Sequence, residues 1–211
     1  DSDPRLPFWV AAGLSFANTL YGWLILPESL PSERRSPWRW RSANPVGALH
    51  LLASDRILAG LSVANFFGQL AHVVLPSVFV LYATYRYRWD SKTVGWTLAI
   101  VGICSMVVQG GAIGPIVNRF GERRALYLGL ACGAAGFFIY AIATSGHVFW
   151  LGIPVMALWG VAGAATQAIM TRLVRPEQQG QLQGATTSVT SIAQLLGPFL
   201  FTLSFAYFIG A

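Results

Sequence analysis

Four amide or imidazole side chains stand where the surrounding sequence is almost wholly apolar. Asn65, Gln69 and His72 lie in "SVANFFGQLAHVVL", and Gln109 lies in "CSMVVQGGAI". Each can both donate and accept hydrogen bonds, and His72 is the one that titrates near neutral pH. At about 100° per residue, Ser62, Asn65, Gln69 and His72 share one face of a helix. Ser105 and Gln109 are i, i+4 neighbours. Further on, Thr166 and Gln167 follow Gly160 and Gly163, and Thr187, Thr190, Ser191 and Gln194 repeat at i, i+3, i+4, i+7. Such stripes can line a watery path, because each group costs free energy in apolar surroundings unless water, a ligand or a partner satisfies it. They can also be the hydrogen bonds that hold a helical bundle together. Asn65, Gln69, His72, Gln109, Gln167 and Gln194 are the candidate cavity residues.

Covalent and metal chemistry finds little support. There is no GxSxG, HExxH or Walker-type loop and no carboxylate pair inside an apolar stretch. Cys104 and Cys132 each sit alone in an apolar run, without a CxxC or Cys/His spacing, and read as small packing residues. The chain is read as a non-enzyme, with no cofactor and no metal site.

One charged stretch stands out, "GPIVNRFGERRAL" at 114–126. Arg119 at the end of one apolar run and Glu122 at the start of the next suit the signs of the two helix dipoles. Gly121 supplies the left-handed backbone that a short connection needs. The third run is expected to end near Val117 and the fourth to begin near Ala125, with about seven residues crossing between.

These residues must be positioned by long apolar elements. Hydrophobic residues make up 55% of the 211 and charged residues only 10%, too little polar surface to coat a water-soluble globule. Every Lys, Arg, Asp and Glu lies outside six runs, near 7–26, 57–83, 94–117, 126–144, 148–170 and 185–211. About 20 residues span a bilayer core as a helix, and no period-2 alternation suggests a barrel. The fold class is therefore all-α, a polytopic membrane protein of six transmembrane helices. The net charge of +6 is spread over loops rather than gathered on a soluble fold, so no nucleic-acid partner is expected. Gly129 with Gly133, and Gly110 with Gly114, are four apart and mark faces where helix backbones can approach closely.

Basic residues orient the spans. The loops at 27–56, 118–125 and 171–184 hold ten of the Lys and Arg residues and the alternate segments four, so these three loops are expected on the cytoplasmic side. Both ends of the chain then fall outside, and the expectation is an internal portion of a longer transporter. Residues 27–56 are rich in proline and read as a linker between bundles. Its "SPWRWR" interleaves Trp38 and Trp40 with Arg39 and Arg41 and suits an anionic headgroup layer. "GALHLLAS" is expected to be a short surface helix.

The spacing in "GPIVNRFGERR" resembles the signature loop of the major facilitator superfamily, with Gly114, Arg119, Gly121, Arg123 and Arg124 matching and Asn118 in place of the usual acidic residue. "LPES" at 26–29 is similar to the family's stretch at the end of its sixth helix. "RPEQQGQLQGATTSVTSIAQLLGPFLF" at 175–201 and "RWDSKTVGWTLAIVG" at 88–102 resemble the tetracycline-efflux branch of its drug:proton antiporters. The resemblance implies family helices six to eleven. Residues 1–26 would be the last helix of the first bundle, 27–56 the central loop and 57–211 five helices of the second bundle. It implies export of a hydrophobic drug, tetracycline-like, in exchange for protons by alternating access. Partners would be a small-molecule substrate, protons, the lipid bilayer of a bacterial inner membrane and the missing first bundle. Gly114, Asn118, Arg119, Gly121, Arg123 and Arg124 would form a conformational gate. The branch's ninth-helix Asp aligns with Gly133 and its eighth-helix His with Ser105, while Gln109 is retained. A facilitator of sugars or metabolites, or a membrane scaffold, are the alternatives.

Overall fold

The computed structural model describes residues 5–25 and 45–210, and every regular element among them is a helix. In chain order these are α1 (Leu6–Leu24), α2 (Pro45–Ala53), α3 (Arg56–Tyr87), α4 (Ser91–Val107), α5 (Ile113–Phe120), α6 (Glu122–Ile142), α7 (Gly146–Ala157), α8 (Gly160–Leu173) and α9 (Gln179–Gly210). The chain divides into two units, 1–40 and 41–211. In the first, α1 is a 19-residue helix. The "LPES" and "SPWRWR" stretches lie outside the described residues.

In the second unit, five stretches are long and apolar enough to cross a membrane: Arg56–Tyr87, Ser91–Phe120, Glu122–Ile142, Gly146–Leu173 and Pro176–Ile209. Even the shortest, at 21 residues, reaches roughly 30 Å, the thickness of the hydrocarbon core. Six such spans are expected from the charge pattern. The first run, near 7–26, is helical as α1 but falls outside these five, because Pro7, Asn18, Thr19 and its Trp and Tyr residues dilute its apolar content. Large apolar side chains such as Trp96, Met106, Phe138, Leu151, Leu195 and Phe199 point outward. A surface of that kind suits lipid rather than water.

The helix ends follow local chemistry. Asp55 caps α3, its carboxylate accepting from the N–H groups of Ile57 at 2.8 Å and Leu58 at 3.0 Å. Asp90 caps α4 and accepts from the Thr93 hydroxyl at 2.6 Å and its N–H at 2.9 Å. Those bonds, the side-chain one first, hold the Asp90 carboxyl below the usual carboxylate range. Arg88 ends α3 in the left-handed region, at φ 56°. Between α5 and α6 stands a single residue, Gly121, at φ 77°. The expected seven-residue crossing is therefore one residue long. Asn118 and Arg119 belong to the last turn of α5, and Glu122, Arg123 and Arg124 to the first turn of α6. The helices run further because charged residues at the water interface cost a terminal helical turn little.

Two spans are interrupted. A π turn at Val108–Ala112 joins α4 to α5, and the Ile113 N–H donates to the Val108 carbonyl five residues back. Between α7 and α8 the backbone tightens to i→i+3 bonds, Trp159 N–H to Met156 O at 3.0 Å, Val161 N–H to Leu158 O at 3.1 Å and Ala162 N–H to Trp159 O at 2.8 Å. The α7–α8 interruption lies at mid-span, and the π turn lies about two-thirds of the way along its span, toward Gly121.

Small residues set the packing. A methyl at Gly129 would meet the Ala162 backbone, one at Gly136 would lie 2.8 Å from Met156 Sδ, and one at Gly197 would lie 2.6 Å from Val73 Cγ1. So α6 closes on α7 and α8, and α9 closes on α3, along glycine faces. Gly110 and Gly114 do not act this way: no atom of the described residues comes within 4 Å of a methyl at either. The π turn re-aims this part of the span. The expected surface helix is α2, and it packs inward: Leu52, Leu58, Met170, Leu182 and Ala185 form one buried cluster from α2, α3, α8 and α9. At the opposite ends of the spans, Tyr87 Oη donates to the Ala143 carbonyl at 3.0 Å and Trp150 Nε1 to Thr97 Oγ1 at 3.0 Å.

Candidate substrate cavity

Hydroxyls and amides behave differently inside this bundle. Ser62 donates to the Leu58 carbonyl at 2.7 Å, Thr97 to Thr93 at 2.8 Å, Thr171 to Gln167 at 2.7 Å and Ser188 to Gly184 at 2.9 Å. Each of these hydroxyls is satisfied by its own helix, one turn back. Asn65, Gln69, His72 and Gln109 make no side-chain hydrogen bond among the described residues. Nor are any buried polar side-chain atoms of the described residues left unsatisfied, so these groups face open space rather than a sealed core.

That space is a cavity of about 570 Å³ among α3, the α4–α5 span, α6 and the α7–α8 span. It falls within the range typical of small-molecule sites. Asn65, Gln69 and His72 project into it from successive turns of α3, and Gln109 joins them from the π turn. π turns recur at functional sites because the extra residue turns the side chains out of regular helical register. Ser105 and Thr166 also line it. No lining residue is Asp, Glu, Lys or Arg. The remaining surface is apolar and aromatic, with Phe79, Tyr140, Phe149 and Trp159 the largest rings. Tyr140 and Phe149 stack with centroids 4.1 Å apart at 13°, and Phe149 stacks on Phe79 at 5.5 Å and 24°, closing the end near the Ala143 turn.

The structure thus brings together four of the six expected cavity residues. Gln167 and Gln194 are not among the lining residues. Gln167 sits half-buried one turn past the lining residue Gly163, and Gln194 is exposed on α9 together with Thr187 and Ser191. Sequence reasoning missed the four rings. The available signal was Trp159 itself: tryptophan favours membrane interfaces, so one at mid-span between Leu158 and Gly160 is out of its usual place.

At the other end of the spans, the charged loop gathers around Gly121. Glu122 forms an ion pair with Arg172 at 2.8 Å, tying the start of α6 to the end of α8. The Arg119 guanidinium lies 5.9 Å from the Phe120 ring centre. Asn118, Arg123 and Arg124 are exposed.

The profile of the Major Facilitator Superfamily matches residues 2–198. The chain is 36% identical over 203 residues to the tetracycline resistance protein, class C, of Escherichia coli, covering 95% of this chain and 50% of that protein. It is 35% identical over 205 residues to the class G protein of Vibrio anguillarum, covering 97% and 52%. It is also 24% identical over 204 residues to the hippocampus abundant transcript 1 protein of Mus musculus, covering 94% and 42%. The chain spans about half the length of the curated relatives it matches.

Proposed function

The chain belongs to the major facilitator superfamily, and from that premise we propose that it forms part of a secondary transporter that exports a hydrophobic, ring-bearing drug in exchange for protons. Alternating access would carry the drug, with two bundles rocking about a central cavity. The observation that carries this reading is the convergence of Asn65, Gln69, His72 and Gln109, all unpaired among the described residues, on one uncharged cavity walled by aromatic rings. Hydrogen bonds serving only as interhelical glue would join these amides to one another or to backbone. A sugar carrier would need more hydrogen-bonding groups and fewer rings than Phe79, Tyr140, Phe149 and Trp159 provide. The tetracycline resistance proteins among the relatives make tetracyclines the first substrates to try.

The residues divide the work. The amides give a ligand's polar edge both donors and acceptors, and the rings take its apolar faces. His72 is the lining group able to change charge near neutral pH, which makes it the candidate proton contact in this cavity. Gly114, Asn118, Arg119, Gly121, Arg123 and Arg124 form the cytoplasmic gate region. With Asn118 in place of a carboxylate, the local charge pair is Glu122 with Arg172, which fastens α6 to α8 within one bundle. Residues 1–26 would end the first bundle, 27–56 would link the bundles and 57–211 would belong to the second. The site of action would be a bacterial inner membrane. The test is uptake of tetracycline and other hydrophobic drugs by a sensitive host carrying the full chain: lowered accumulation supports export, and unchanged accumulation across the panel rejects it.

A further inference from the structure

The indole of Trp159 lines the cavity and reaches from α6 to α3. Its five-membered ring rests on α6: a methyl at Gly133 would lie 2.8 Å from Cγ and 3.0 Å from both Cδ1 and Cδ2. Its far edge reaches α3, where a methyl at Gly68 would lie 3.5 Å from Cζ2. One helical turn beyond each glycine, a second ring flanks the indole. His72 on α3 has its ring centre 5.5 Å away at 55°, and Phe137 on α6 lies 5.5 Å away at 70°. Two glycines and two rings on separate helices thus form a slot for the indole. The residue itself stands in the tight turn between α7 and α8, so no regular helix fixes its backbone there.

Depth adds to the case. Trp159 lies close to the midpoint of the span Gly146–Leu173, His72 to that of Arg56–Tyr87 and Gly133 to that of Glu122–Ile142. Cavity lining continues to both sides of this level, to Thr166 and Leu126 one way and to Phe149 and Tyr140 the other. The ring therefore lies across the middle of the cavity, not at an end. A planar ring at that depth takes up part of the cavity's width.

Resting on the reading of this cavity as a drug site, we propose that Trp159 is its selectivity-determining residue: an indole bar, seated on Gly68 and Gly133, that sets how wide a ligand can extend through the cavity. Gly133 is then a positioning residue, since any side chain there displaces the bar. Aromatic stacking along the indole face would favour ligands with fused planar rings.

The test reads width directly and does not depend on export. In the full chain with Cys104 and Cys132 replaced by Ala, single reporters are placed on either side of the bar as Leu75→Cys and Thr166→Cys. Each is reacted with N-ethylmaleimide and with the much wider N-(1-pyrenyl)maleimide. Trp159→Ala should raise the pyrenyl rate at least tenfold at the reporter that lies behind the bar, with the N-ethylmaleimide rate moving less than threefold. Trp159→Phe, which keeps a smaller ring, should fall between. Unchanged pyrenyl rates at both reporters, or a parallel rise in both reagents that signals general loosening, would overturn the proposal. A parallel export assay compares tetracycline with a bulkier side-chain derivative, and Trp159→Ala should shift their ratio toward the bulkier drug. If the unsubstituted chain exports neither, the drug-site reading fails, and the labelling rates still decide whether the indole is a bar.

Discussion

Asn65, Gln69 and Gln109 hold side-chain amides open to a cavity in an otherwise apolar bundle, and their open valences are what a ligand would use. Replacing Gln69 or Gln109 by Ala should weaken drug binding by about 1–2 kcal/mol, near tenfold, as expected for one lost hydrogen bond in a site with little water. The amount of protein in the membrane should stay the same, since no protein partner is lost. Ser188→Ala is the contrast. That hydroxyl already bonds the Gly184 carbonyl of its own helix, so export should change less than twofold. Direct binding and export measurements on the three variants check both statements. Part of this distinction was legible in the sequence, because Ser and Thr hydroxyls inside a helix commonly bond the carbonyl one turn back. Gln194 misled for a reason of the same kind. Its stripe is genuine, but periodicity identifies a face of a helix and says nothing about what that face meets.

The elements are set by glycines as much as by apolar length. Gly129→Ala should destabilise by about 1–3 kcal/mol, since the new methyl meets the Ala162 backbone and neither helix can yield without opening the contact. Gly102→Ala, with nothing near and an exposed helical position, should be neutral or stabilising by up to about 1 kcal/mol. Thermal unfolding in detergent separates the two. Gly121→Ala places a methyl at φ 77° and ψ 160°, a backbone region that is essentially glycine's alone, and costs about 1–3 kcal/mol. Because that residue alone joins α5 to α6, turnover should fall more than membrane insertion does. The Gly129–Gly133 contact could be read from spacing. That Gly110 and Gly114 make no such contact could not, because a π turn adds a residue and changes which face those glycines occupy. Nor could the Trp159 slot be read, since it depends on glycines from two helices meeting one ring.

At the scale of the whole molecule, charge segregation carried most of the fold. Five stretches in the second unit cross-check it, and the outward-facing Trp96, Phe138, Leu151 and Phe199 give them a surface suited to lipid. The basic loops predict orientation: a periplasm-active reporter fused after Ser145 should be active, and one fused after Arg124 should be silent, with a cytoplasm-active reporter giving the reverse. What composition could not supply is the closed aromatic end at Tyr140, Phe149 and Phe79, because stacking at 4.1 Å and 5.5 Å is a tertiary fact. The central claim is that the uncharged cavity binds the exported drug through its open amides. Its most direct test is the steady-state accumulation of labelled tetracycline in sensitive cells that carry the complete transporter of which this chain forms part, either unaltered or as the Asn65→Ala/Gln69→Ala double variant at matched membrane levels. The unaltered chain should lower accumulation severalfold and the double variant should lose most of that effect; equal accumulation in the two strains would contradict it.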